Sequence, residues 1–243
     1  ERHEGGSAAR RRSIIASVRE LPPPPEPHSR FGRFEIVDRI AVGGMAEVFR
    51  ALEPRDVGAP RIVVLKRMLP HVAAEAAGRV GAGLISVITR PQHIAAILAR
   101  RPECMVLGVE EGDSISHGLQ QADVLVVGPG IGQSAWGLSL LQQALATDLP
   151  LVLDADGLNL LAARRQEPAA RRGNWVLTPH PGEAARLLSS TTEALGRDRF
   201  AAISALQQHY HGAVVLKGAG SLIAGDEGAL WVCHSGNPGM ASG

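Results

Sequence analysis

The chain has 243 residues, 45% of them hydrophobic and 20% charged, enough apolar material for one large domain or two small ones. Lys plus Arg total 25 against 24 for Asp plus Glu, and only 3% of residues are aromatic, so neither a basic footprint nor a set of stacking rings argues for nucleic acid. Cys104 and Cys233 make no disulfide framework and no zinc spacing, and no apolar run reaches the ~18 residues of a membrane span.

Residues 1–30 read as a disordered tail. Arg10, Arg11 and Arg12 form a charge run, and Pro22 to Pro25 with Pro27 form a polyproline-like linker. The run could meet an anionic surface, and a solvated tail is the plainer reading. The two unpaired cysteines make a reducing, cytoplasmic setting the default expectation, and the start on Glu1 with no apolar signal core after it points to a natural start upstream.

Residues 31–72 change character. Phe34 to Ile40 alternates like a strand, Ala41 to Phe49 is a glycine turn running into a second strand, and Ile62 to Lys66 is a third. The stretch from Phe31 to Pro70 resembles the start of the N-terminal lobe of a bacterial serine/threonine protein kinase. Gly43 stands at the middle glycine of the Gly-rich loop and Lys66 at the phosphate-holding lysine. Ala41 and Ala46 replace the first and third loop glycines. Nothing downstream resembles a His-Arg-Asp catalytic loop or a metal-binding Asp-Phe-Gly, so the piece is expected to be a partial lobe without phosphoryl transfer.

From about Ala73 strands and helices alternate. Ala73 to Gly81 reads as a helix end, Leu84 to Thr89 as a strand, and Pro91 opens a helix with Ile94, Ile97 and Leu98 on one face. Cys104 to Val109 is a strand. The run Val124 to Val127 reads as a strand buried on both faces. Gly128, Gly130 and Gly132 then make a turn, and Ser134 is placed to cap a helix from Trp136 to Leu145. Strand, glycine turn and helix start together offer backbone N–H groups to a phosphate, unless the turn is merely tight.

Leu149 to Asp154 is the next strand, with Asp156 placed to cap a helix from Gly157 to Ala163. Trp175 to Thr178 is a strand, and a helix from the Pro179–Glu183 segment runs to Leu188. A long helix is expected over Glu193 to His209, and strands over 214–217, 221–224 and 229–233. The pattern predicts an α/β fold, a mostly parallel sheet with helices on both faces. Strands 84–89, 123–128, 150–154, 174–178 and 213–217 are expected in that one sheet.

Sites in such sheets lie at the carboxyl ends of the strands. Four polar motifs fall there in turn: Gly128 to Gly132, Asp154 to Asn159, Thr178 to Glu183, and Lys217-Gly-Ala-Gly-Ser221. Each alone has a plainer reading. Asp154 could cap a helix, His180 between two prolines could be a rigid loop, and Lys217 could lie on the surface. Their co-location argues for one cleft. Gly128-x-Gly130 with Asp154 at the next strand end imitates a dinucleotide fingerprint, but Gln133 stands where the third glycine belongs.

Residues 73–243 resemble the ADP-dependent NAD(P)H-hydrate dehydratase family, which has a ribokinase-like fold. The stretches that carry the likeness are Gly81-Ala-Gly-Leu84, Pro102-Glu-Cys-Met105, Gly128-Pro-Gly-Ile-Gly132, Leu153-Asp-Ala-Asp-Gly-Leu-Asn159, Leu177-Thr-Pro-His-Pro-Gly-Glu183, Val215-Leu-Lys-Gly-Ala-Gly220 and Asn237-Pro-Gly-Met-Ala-Ser-Gly243. The resemblance implies repair of NADHX or NADPHX, whose nicotinamide ring has been hydrated. A nucleotide phosphorylates the ring hydroxyl, phosphate leaves, and the dihydro ring returns.

By the same resemblance Gly130 and His180 would contact the hydrated cofactor. Lys217, Gly218, Ala219, Gly220 and Ser221 would line the nucleotide, ADP or ATP with magnesium. The family's proposed base, an aspartate in a Gly-Thr-Gly-Asp stretch, would follow Gly243, and its first strand would precede the likeness. The chain as written is therefore expected to lack turnover. The other readings are a catalytically dead nucleotide-binding fragment and a small-molecule kinase of the same fold. Self-assembly, NADHX against NADPHX and ADP against ATP are left open.

Overall fold

The computed structural model describes residues 30–31, 34–42, 46–55, 58–68, 77–78, 81–120, 122–166, 171–225 and 228–233. The expectations for the tail to residue 29, for Gly43, for most of the 73–81 helix and for Asn237 to Gly243 lie outside the described residues. The described strands form three sheets.

The first sheet is an antiparallel meander of β1 (Arg30–Phe31), β2 (Phe34–Val42), β3 (Ala46–Glu53) and β4 (Arg61–Met68), in that order. Ile36, Phe49 and Ala51 are its buried residues, with Phe34 and Val63 packed on them. The strands β2, β3 and β4 cover the three stretches expected to be strands. Ile62 and Val64 point the other way and stay exposed. Lys66 lies on β4 opposite Val48.

The second sheet is a parallel pair, β5 (Ser86–Thr89) and β6 (Met105–Gly108). A 3-10 turn at Pro91–His93 and the short helix α1 (Ile94–Leu98) cross between them. Of the three apolar residues expected on one helix face, Ile97 is buried and Leu98 is exposed. Gly108 lets the crossover sit tight on β6, since a Cβ there would stand 2.8 Å from Ile94 Cδ1 and 2.9 Å from Pro91 Cα.

The third sheet has six strands in the order β12-β11-β10-β9-β8-β7. These are β7 (Leu125–Val127), β8 (Leu151–Leu153), β9 (Trp175–Leu177), β10 (Ala213–Leu216), β11 (Ser221–Ala224) and β12 (Leu230–Cys233). From β7 to β10 the neighbours run parallel, and β10, β11 and β12 are antiparallel. The helices are α2 (Ser116–Leu119), α3 (Ala135–Leu145), α4 (Asp156–Ala163), α5 (Pro181–Leu187), α6 (Thr192–Arg197) and α7 (Arg199–Tyr210).

Three expectations are corrected. Strand 86–89 is not in the main sheet; it pairs with β6. What joins the small sheet to α3 is side-chain packing, through Val109, Ile115, Trp136 and Leu140, with Trp136 Nε1 donating to the Val109 carbonyl at 2.9 Å. The run 124–127 is not buried on both faces. Among the described strands β7 lies at the edge of its sheet; Leu125 is buried while Val124 and Val126 are 53% and 56% exposed, so a period of two emerges from four apolar residues. The helix expected over 193–209 is two. Asp198 takes an extended conformation, ends α6, and its carboxylate accepts from Ala201 N at 2.9 Å to start α7.

The main core lies between the six-stranded sheet and its helices. Leu141, Leu153, Leu158, Leu161, Leu177, Ile203, Leu206 and Val214 are fully buried. Each such side chain contributes roughly 1.5–3 kcal/mol. On α7 the buried residues Ala202, Ile203, Leu206 and Tyr210 share one stripe at helical spacing. This core fixes the strand ends, and the strand ends carry the site.

Candidate functional site

The ends of β7, β8, β9 and β10 are zipped together by backbone hydrogen bonds. Asp154 N donates to the Val127 carbonyl at 3.1 Å, Thr178 N to Leu153 at 3.0 Å, and Lys217 N to Pro179 at 2.8 Å. The four motifs singled out in the sequence therefore form one rim. Gly130, His180 and Lys217 all lie on it.

The glycine turn leaves β7 pressed on the next strand. Gly128 has φ +133, and a Cβ there would stand 1.7 Å from the Asp154 carbonyl oxygen. Gly130 (φ +77) meets nothing within 4 Å, so it faces open space. The turn does not keep all its N–H groups for a ligand: Gly132 N donates to Asp156 Oδ2 at 3.1 Å, and Gln133 Nε2 to Asp156 Oδ1 at 3.2 Å. Ser134 is at the N-cap position of α3, but its side chain makes no capping bond. Asp156 likewise opens α4 as its first residue and ties down the turn rather than capping.

Asp154 is held on several sides. Its carbonyl accepts from Gly157 N at 3.0 Å, and its Oδ1 accepts from Ala155 N at 2.9 Å and from Lys217 Nζ. Ala155 between the two aspartates sits at φ 50, ψ −120, a conformation that a Cβ resists.

His180 caps α5. Its Nδ1 accepts from Gly182 N at 2.9 Å and Glu183 N at 3.4 Å, while Glu183 Oε2 accepts from His180 N at 2.9 Å. This is a reciprocal capping box with imidazole in the place of a hydroxyl. Because Nδ1 accepts, the neutral ring carries its proton on Nε2, which stands 3.2 Å from Glu183 Oε1. Burial holds the His180 pKa below its ordinary value, helped by the Arg186 and Lys217 charges. Burial pushes the Glu183 carboxyl up, against the hydrogen bond from His180 N.

The Lys217–Ser221 loop is braced from α7. Arg199 Nη1 donates to the Ala219 carbonyl at 2.8 Å and Nη2 to the Gly220 carbonyl at 3.0 Å. Gly218 (φ +153) packs under that guanidinium, 2.9 Å from where its Cβ would be. Arg199 and the Asp154–Lys217 pair were not foreseen. Both are contacts across the fold, and no local pattern announces them. Among the described residues no group of three or more His, Cys, Asp or Glu could hold a metal ion. No described helix is long and apolar enough to cross a membrane.

A mostly parallel α/β sheet with a glycine turn, a capped histidine loop and a Lys-Gly-Ala-Gly-Ser loop on one rim has the layout of a ribokinase-like protein. The chain belongs to the NAD(P)H-hydrate dehydratase family, which it matches over residues 70–243. Over 173 residues it is 53% identical to the bifunctional NAD(P)H-hydrate repair enzyme Nnr of Coxiella burnetii, covering 71% of this chain and 35% of that protein. Over 178 residues it is 36% identical to the ADP-dependent (S)-NAD(P)H-hydrate dehydratase of Neisseria meningitidis, covering 71% and 59%. A solved ribokinase-like superfamily protein of Enterococcus faecalis aligns with a TM-score of 0.62 and 31% identity, covering 71% of this chain and 62% of that one. The chain thus spans 35% of the length of the first relative and 59% of the second.

Proposed function

We propose that residues 73–243 serve nicotinamide-nucleotide repair by holding the two ligands of the ADP- or ATP-dependent dehydration of NADHX or NADPHX. The supporting observation is the bond from Lys217 N to the Pro179 carbonyl, which sets the Lys-Gly-Ala-Gly-Ser loop directly beside the His180 cap. The two ligands would then lie side by side on one rim. Lys217, Gly218, Ala219, Gly220 and Ser221 line the nucleotide, and Gly130 and His180 contact the hydrated cofactor.

The nucleotide, when bound, supplies the phosphoryl group that turns the ring hydroxyl into a leaving group. The chain's own part is placement. Gly130 leaves open space where a ring can approach backbone. His180, its ring held by the Gly182 and Glu183 amides, offers its ring face, and its depressed pKa keeps it an uncharged neighbour near neutral pH. Arg199 holds the nucleotide loop in shape. Magnesium would enter with the nucleotide phosphates as their counterion, keeping most of its waters.

Calorimetric titration tests the reading. ADP and NADHX should each bind at one site per chain and should bind together. A chain that binds neither, or binds one only by displacing the other, would sink it.

A further inference from the structure

Among the 25 Lys and Arg residues only two are lysines, Lys66 and Lys217. Lys217 does not present a bare charge to the rim. Its Nζ donates to Asp154 Oδ1 in an ion pair whose side chains are 36% and 30% exposed. The partners stand at the ends of β10 and β8, with β9 between them, so the pair spans the end of a strand. Asp154 cannot easily turn away. Its N–H and C=O are both bonded, Gly128 is packed on its carbonyl, and its own Oδ1 holds Ala155 N. The next residue, Ala155, is itself held in a strained conformation.

We propose that Asp154 is a specificity-determining residue: by pairing with Lys217 it biases the loop toward nucleotides of lower phosphate charge. The inference rests on the nucleotide reading above. A phosphate reaching Nζ from its exposed side stands on the order of 6 Å from the Asp154 carboxylate, and at that distance each phosphate charge loses about threefold in affinity in a water-like dielectric, more where the rim is drier. A triphosphate brings one charge more than a diphosphate, so ATP is penalised beyond ADP. Lys217 alone would instead favour the more highly charged ligand.

The experiment is calorimetric titration of ADP and ATP, without magnesium, into the wild-type chain and Asp154→Asn. The amide can still accept from Nζ, so the variant removes charge and keeps position. Both nucleotides should tighten, and the Kd ratio of ATP to ADP should fall by about threefold. Asp154→Ser is a second neutral variant should the first misfold, and Asp154→Glu should keep the wild-type ratio. An unchanged or rising ratio in a folded neutral variant overturns the inference while ADP binding still upholds the nucleotide reading. Failure of every form to bind either nucleotide overturns both. Amine labelling read by peptide mass is a separate check on the pair: Lys217 should react faster in Asp154→Asn, and an unchanged rate counts against the inference.

Discussion

Gly128 and Asp154 touch backbone to backbone: a Cβ on Gly128 would stand 1.7 Å from the Asp154 carbonyl oxygen, with Gly128 at φ +133. The glycine turn is thus first a packing device that lets β7 close on β8. Gly128→Ala should destabilise the chain by about 3 kcal/mol or more, since a rigid backbone atom must move. Gly130→Ala meets open space and bears only its φ of +77, so about 1–2 kcal/mol is expected. Urea midpoints of the two variants should differ in that order.

Ala155 gives the opposite sign. At φ 50, ψ −120 its methyl is strained, and Ala155→Gly should raise stability by about 1 kcal/mol. A lowered melting temperature would mean that the elbow is not strained in solution.

Tyr210 is the only tyrosine, which makes it a clean probe. Its hydroxyl donates to the Leu187 carbonyl at 3.0 Å in the buried core, and burial pushes its pKa from the ordinary 10.0 up to about 12. The unfolded chain ionises first as pH rises, so the stability tied to the neutral ring is present below 10.0 and is lost as pH climbs through about 12. Phenolate absorbance should therefore appear late, or abruptly with unfolding. Tyr210→Phe should cost about 1–2 kcal/mol by leaving the Leu187 carbonyl unpaired.

The histidine cap carries a pH dependence of its own. The folded His180 pKa lies below the ordinary 6.5, so its contribution is full above pH 6.5 and is lost as pH falls through the folded value. Glu183 acts the other way. Its pKa is raised above the ordinary 4.5, so its contribution is full below pH 4.5 and is lost as pH rises through the folded value. Nitrogen-resolved NMR should find His180 titrating below 6.5 with its neutral proton on Nε2. A midpoint above 6.5, or an Nδ1–H ring, would contradict the capping geometry.

Much of this was legible in the residues. The strand and helix alternation gave the α/β class, and the four motifs fall on one rim because strands of a parallel sheet end on the same side. The edge position of β7 was not legible, because Val124 to Val127 is apolar throughout and only its neighbours decide which faces are covered. The break at Asp198 was available in principle, since aspartate is a good N-cap. The Asp154–Lys217 pair joins residues 63 apart in sequence and needs the strand order to be seen. The capping role of His180 needed the loop geometry after Pro179.

The central claim is that one rim holds both ligands, and hydrogen exchange tests it most directly. Amide exchange of the full chain is followed alone, with ADP, and with NADHX. ADP should slow exchange at Lys217 to Ser221, and NADHX should slow it at Gly130 to Gly132 and at His180. ADP protection falling instead on β2 to β4 around Lys66, with the Lys217 loop unchanged, would contradict the account.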